Sequence, residues 1–211
     1  MISPTWQFED KYLTQGIKFV AGVDEAGRGA WAGPIVAGAV IFTNHDLVGL
    51  RDSKLLSPVQ REKMYDKIVA SAAAWSAGIV TRDEIDTIGI GPANKLAMER
   101  AVAGLKPAPD FVLVDAFKID SGCPIESIIK GDQKVCTIAA ASIIAKVTRD
   151  RMLVTAHAKY PDYGFNQHKG YGTVSHRQAI EKFGASAFHR MSFEPMKSLK
   201  GNSNTKNQNS K

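Results

Sequence analysis

The sequence predicts an α/β fold, a mixed sheet flanked by helices with a helical extension at its C-terminus. Short apolar runs alternate with amphipathic stretches through the first two-thirds of the 211 residues, as strands and helices packed about one sheet would. The last third carries no strand-like run. Hydrophobic residues make up 44% of the chain, enough to bury a real core, and there is neither an internal repeat nor a linker-like stretch. Residues 1–197 are therefore expected to form one compact unit that includes the helical extension, about 153–197.

Each element follows from local pattern. Phe19–Asp24 (FVAGVD) and Ile35–Phe42 (IVAGAVIF) read as buried strands joined by a Gly-rich turn, a central hairpin. Ser57-Pro58-Val59-Gln60 joins a cap residue, Pro at the first helical position and Gln three residues after the cap, so a helix is expected to run to about Ala74. Trp75–Thr81 returns to strand. Ala93–Gly104 reads as a helix closed by a glycine. Phe111–Asp115 (FVLVD) and Ile125–Ile129 are further strands. Thr137–Val147 (TIAAASIIAKV) is apolar nearly all round, the mark of a helix inside the domain, and continues amphipathically toward Lys159. A loop follows over Tyr160–Tyr171, then a short helix capped by Thr173 that ends by Gly184, and one more helical turn. The tail 198–211 (SLKGNSNTKNQNSK) has a single apolar residue, too little to offset the entropy of ordering it, and is expected to be disordered.

Composition excludes whole classes. A disordered or fibrous protein would not carry this apolar content. No apolar run approaches the ~18–20 residues that span a bilayer, and MISPTWQFEDKY has acids where a signal peptide would be basic and then apolar. A cytoplasmic protein without membrane contact is expected. Cys123 and Cys136 show neither a disulfide framework nor zinc-ligand spacing.

The net charge of +6 is unevenly placed. Residues 1–129 hold 13 basic and 16 acidic side chains, residues 130–197 hold 11 and 5, and the tail holds 3 and none. A surface that attracts a polyanion is therefore expected in the C-terminal third.

The chemistry is concentrated in acids that end apolar strands, where an uncompensated charge is costly. Asp24 and Glu25 close the first strand ahead of Gly27-Arg28-Gly29. Successive strand side chains point to opposite faces, so the two acids share a site only if the backbone bends immediately after Asp24. The glycines do not form a dinucleotide fingerprint, because Pro34 and a strand follow them rather than a helix. Asp115 ends FVLVD as Asp24 ends FVAGVD. Asp132, in Lys130-Gly131-Asp132, and Asp150, between Arg149 and Arg151, compete for a fourth place, with ion pairing on a helix face the expected role of Asp150. A set of oxygen ligands without His or Cys suits Mg²⁺ or Mn²⁺ better than zinc.

Taken together, GVDEAGRG (22–29), AGPIVAGAVI (32–41), DSKLLS (52–57), VDAF (114–117), KGDQK (130–134), AASIIAKVTRDR (140–151), YPDYGFNQHKGYGT (160–173) and SFEPMK (192–197) resemble bacterial ribonuclease HII, in the same order and over roughly residues 16–197. The resemblance implies an RNase H-like fold and a monomeric endonuclease. It would cut the RNA strand of RNA–DNA hybrids and the 5′ side of single ribonucleotides in duplex DNA, leaving a 3′-hydroxyl and a 5′-phosphate. It implies that Asp24, Glu25, Asp115 and Asp132 are the catalytic carboxylates and bind Mn²⁺ or Mg²⁺, which settles Asp132 over Asp150. Asp24 would bridge two ions, with Glu25 and Asp115 on one and Asp132 on the other. Gly27, Arg28 and Gly29 match the segment that contacts the 2′-OH and backbone at the RNA–DNA junction, and Tyr171 the tyrosine that stacks on the deoxyribose after it. Lys54, Lys146, Lys169 and Arg190 are expected phosphate contacts, whereas His168 and His176 take no catalytic role. The chain departs from the family at Leu55, where a second Lys is frequent, and at Gly89, where Asn is. Two other readings remain: a ribonuclease HIII, which handles longer hybrids without a GRG-type junction reader, and a non-enzymatic nucleic-acid-binding module using the basic C-terminal third.

Overall fold

The computed structural model describes residues 3–47, 49–50 and 53–199. The elements are α1 (Gln7–Leu13), β1 (Val20–Ala26), β2 (Ile35–Ile41), α2 (Pro58–Ser71), β3 (Ala74–Val80), α3 (Arg82–Ile88), α4 (Ile90–Ala103), β4 (Phe111–Asp115), β5 (Ile125–Ile128), α5 (Cys136–Lys159), α6 (Phe165–His168) and α7 (Val174–Phe183). All five expected strands form, in one sheet of order β3-β2-β1-β4-β5. The expected hairpin is β1–β2, antiparallel from Ala21↔Ile41 to Ala26↔Val36, and β2 continues antiparallel to β3. β4 adds parallel to β1, and β5 parallel to β4. The sheet is thus mixed, with β1 at its centre.

The two faces are covered by different helices. Val23, Ala37 and Val80 face a core shared with Ala93, Ala97 and Met98 of α4, whereas Val40 faces Ala140, Ala141 and Ile144 of α5. α5 lies so close to β1 that a Cβ on Gly22 would stand 2.2 Å from the main-chain carbon of Thr137, so only glycine fits there. The helix also runs unbroken to Lys159, as its apolar start and amphipathic continuation led one to expect.

Three helices go beyond expectation: α1, α3 and the single-turn α6, which lies inside the segment Tyr160–Tyr171 expected to be a loop. α1 begins after Trp6, which gives no side-chain cap, so no local start signal announces it. α3 follows a full capping box, Thr81 with Glu84, concealed because Thr81 reads equally well as the last residue of a strand. α4 begins at Ile90 rather than Ala93, Gly89 serving both as the end of α3 and the start of α4 with φ 81°. Beyond α7 the chain has no regular element until a helical turn at 196–199, in which the Ser198 hydroxyl reaches the Glu194 carboxylate at 2.5 Å. Of the tail expected to be disordered, only Ser198 and Leu199 are described; residues 200–211 lie outside the described residues, as does Asp52 of the DSK segment. No helix among the described residues is long and apolar enough to cross a membrane.

Candidate active site

The strand register brings the acids together. The last β1–β4 pair is Val23↔Val114, so Asp24 and Asp115 each stand one residue beyond it, side by side at the open end of the sheet. The expected bend directly after Asp24 does not occur. β1 continues through Glu25 and Ala26, paired to Ala37 and Val36, and turns only at Gly27, φ 95°. Both acids nonetheless line one cleft, since β4 has ended and leaves the β1 edge open. The cleft, about 250 Å³, is also lined by Arg28, Gly29, Ser53, Lys54, Asp115, Ser142, Lys146 and Tyr171.

Asp132 arrives by a separate turn. Lys130 takes a left-handed conformation (φ 58°), the Gly131 amide donates to Asp115 Oδ1 at 2.7 Å, and Asp132 follows in a single 3₁₀ turn, buried. Ala116, directly after Asp115, is also left-handed (φ 56°). Non-glycine residues in this region cost of order 1 kcal/mol each; Ala116 follows Asp115 directly, and Lys130 stands two residues before Asp132. Lys54 Nζ pairs with Asp132 Oδ2 at 2.7 Å.

The electrostatics are those of crowded, desolvated carboxylates. Burial pushes the Asp24 carboxyl well above its ordinary range; Glu25, Asp115 and Asp132 push it the same way, opposed by the Glu25 amide, which donates to Asp24 Oδ1 at 2.7 Å. Glu25 is raised too, chiefly by burial. Among the described residues no three carboxylate, imidazole or thiol groups are drawn up around a common point as a ready-made cation cage. Main-chain amides serve Asp24 and Asp115 and the Lys54 ammonium serves Asp132, while the Asp24 and Glu25 carboxyls meet each other. The donor set is nonetheless all oxygen and short of positive charge, which fits hard divalent ions.

Asp150 takes the part expected of it, pairing with Lys146 at 2.6 Å and Arg61 at 3.7 Å on the helix face. Lys146 reaches the cleft and stands 5.7 Å from the Tyr171 ring centroid. Lys169 does not reach the acids. It lines a neighbouring groove between α2 and α5, and its ammonium donates to the Asn166 carbonyl.

The chain resembles known proteins along nearly its whole length. A family model described as Ribonuclease HII matches residues 21–196. A ribonuclease HII from Chlamydia muridarum is 48% identical over 192 residues, covering 90% of this chain and 88% of that one. The chain belongs to the ribonuclease HII family. It is accordingly a hydrolase of the ribonuclease H type, an endoribonuclease. Among solved structures, ribonuclease H2 from Pyrococcus horikoshii OT3 is similar with a TM-score of 0.75 at 28% identity, covering 87% of this chain and 98% of that one. A Bst-RNase HIII in complex with Mn²⁺ has the same fold, with a TM-score of 0.65 at 18% identity over 89% of this chain and 70% of that one.

In this chain the turn that carries Gly27-Arg28-Gly29 is held from behind by two fully buried arginines. Arg149 donates from Nε to the Pro34 carbonyl, from Nη1 to Lys169 and from Nη2 to Ala32, at 2.9–3.0 Å. Arg190 donates to the carbonyls of Gly33, Arg28, Gly27 and Pro34 at 2.7–3.1 Å. The expectation that Arg190 contacts phosphate is therefore wrong: its guanidinium is committed to main-chain oxygens, and burial lowers its pKa to about 9. A Cβ on Gly27 would lie 2.0 Å from Arg149 Nε, whereas at exposed Gly29 nothing lies within 4 Å. Arg28 is exposed, its guanidinium 5.1 Å from the Phe117 ring centroid. Tyr171 is half-buried with the Arg149 guanidinium 5.3 Å from its ring centroid. A signal for Arg149 was present: it lies one helical repeat from fully buried Ala145 and Leu153, on the inner face of α5.

Proposed function

We propose that the cleft hydrolyses the RNA strand of RNA–DNA hybrids and cuts duplex DNA 5′ of a single embedded ribonucleotide, leaving a 3′-hydroxyl and a 5′-phosphate. The observation that carries this reading is that Asp24, Glu25 and Asp115 line the same cleft as Gly27-Arg28-Gly29 and Tyr171. Acids alone would repel a phosphodiester; acids beside a built sugar-facing turn do not make sense as simple surface charge.

Asp24, Glu25, Asp115 and Asp132 would hold the divalent metal, Mg²⁺ or Mn²⁺. Their oxygen-only chemistry and the uncompensated burial of Asp24 support this, as does the Mn²⁺ complex of the ribonuclease HIII. A pair of bound ions supplies an activated water and relief of charge on the leaving oxygen. Gly29, with open space where a Cβ would stand, lets main-chain groups approach the sugar edge, where a 2′-OH can both donate and accept. Tyr171, pinned by its loop, presents its ring to the deoxyribose that follows the junction. Lys54 and Lys146 stand on the cleft wall beside the path of the phosphates.

A DNA duplex carrying one ribonucleotide, incubated with Mg²⁺ or Mn²⁺, tests the reading. A nick on the 5′ side with a 3′-hydroxyl end, abolished by EDTA, is expected. Cleavage of long hybrids without that nick would point to the preference of a ribonuclease HIII, and binding without cleavage to a mere nucleic-acid-binding module.

A further inference from the structure

Three histidines lie behind Tyr171, outside the carboxylate cleft. His176 and His189 are fully buried and His168 half-buried, in a box of aromatic rings. Phe165 meets His176 edge-on at 5.6 Å between centroids, Tyr163 meets His189 edge-on at 5.0 Å, and His168 stacks on His176 at 4.2 Å.

Their hydrogen bonds admit one arrangement of protons. The Ser186 amide, which can only donate, points at His189 Nδ1 from 3.0 Å, so that nitrogen is bare in a neutral ring. The proton of His189 is then on Nε2, which lies 3.0 Å from His176 Nε2 and must donate to it. His176 Nε2 is therefore bare and its Nδ1 protonated. Nδ1 lies 2.9 Å from the Tyr171 carbonyl, an acceptor. The chain of donors runs in one direction, from the Ser186 amide through two imidazoles to the main chain of Tyr171. His168 is fixed likewise: the Gly170 amide donates to its Nδ1 at 3.2 Å, and its Nε2–H donates to the Tyr163 carbonyl at 2.6 Å. Burial, the largest influence on both, lowers His176 and His189 to about 4, which keeps them neutral.

We propose that His176 and His189 are positioning residues that set the placement of Tyr171, and so the preference for a ribonucleotide–DNA junction over a uniform hybrid. The inference rests on the reading of Tyr171 as the residue that meets the junction deoxyribose. A uniform hybrid offers no such sugar, so a displaced ring lowers junction cleavage more than hybrid cleavage. A buried hydrogen bond of this kind is expected to shift that ratio by about three- to tenfold. Among the described residues no other donor serves the His176 Nε2 lone pair, and replacing His189 with a residue lacking a donor there leaves it orphaned.

The test compares kcat/KM on a single-ribonucleotide duplex and on a uniform hybrid for the full chain and three variants. His189→Asn keeps an acceptor for Ser186 but removes the donor to His176; His189→Gln can place an amide N–H where Nε2 stood. The junction preference should fall about three- to tenfold in His189→Asn, recover in His189→Gln, and fall further in Tyr171→Ala. If Tyr171→Ala lowers the preference and His189→Asn leaves it unchanged, the relay does not position the ring and the inference is overturned. If Tyr171→Ala itself leaves the preference unchanged, the reading of Tyr171 fails first, and with it the consequence drawn here. Should His189→Asn fail to fold, ¹⁵N NMR of the unsubstituted protein decides the relay: Nδ1–H at His176 and Nε2–H at His189 support it, and Nε2–H at His176 overturns it.

Discussion

The cleft at the end of β1 and β4 and the block behind Tyr171 solve opposite problems. In the cleft, carboxylates are buried against one another with positive charge in short supply, so Asp24 is held far from its ordinary ionisation. Behind Tyr171, each guanidinium nitrogen of Arg149 and Arg190 meets a carbonyl, and the three imidazoles are locked in single tautomers. One region is left electrostatically incomplete and the other is satisfied throughout. The difference teaches where binding capacity lies: an unsatisfied site is completed by what it binds, and a satisfied one can only hold its neighbours in place.

The sharpest way to break the contrast is Asp24→Asn. Cleavage should fall by about a thousandfold or more, the scale of the charge stabilisation a metal site supplies. Because the folded pKa of Asp24 is raised, its contribution to stability is present at low pH and lost as pH rises through that value. The Asn variant escapes that loss and should melt higher than the parent in metal-free buffer at pH 7. Arg190→Ala should do the reverse, costing about 3–5 kcal/mol in denaturant unfolding by leaving four carbonyls without their donor; a loss below about 1 kcal/mol would show the clamp to be dispensable.

The two glycines of the turn divide the regions at finer scale. Gly27→Ala meets Arg149 and an unfavourable φ, and should cost about 2–3 kcal/mol. Gly29→Ala, in open space, should stay within about 0.5 kcal/mol while lowering junction cleavage. The histidines add a dependence on pH. His176 and His189 are depressed to about 4, so the stability they favour is complete above the unfolded value near 6.5 and is lost as pH falls toward 4. Between pH 7 and 5 each should contribute a loss of about 1–2 kcal/mol, and His189→Gln should remove its own share.

Much of this was legible in the sequence, and for physical reasons. Asp24 and Asp115 end matching apolar runs, and parallel register turns matching ends into adjacency. Ser57 and Gln60 announced α2 through a capping box that does form. What could not be read were features made by long-range main-chain contacts. Arg190 looks like any basic residue near the C-terminus until Gly27, Arg28, Gly33 and Pro34 are seen to turn their carbonyls toward it. The bend expected after Asp24 falls at Gly27 because β2 continues to pair with Glu25 and Ala26. His176 and His189, thirteen positions apart, become one relay only through the aromatic box around them.

The claim that the cleft is left incomplete for a divalent ion is tested most directly by thermal unfolding with increasing Mn²⁺, comparing the parent chain with Asp24→Asn. The parent should gain stability with metal concentration, as any ligand confined to the folded state requires, and the variant should gain little. An equal rise in both, or none in the parent, would contradict it.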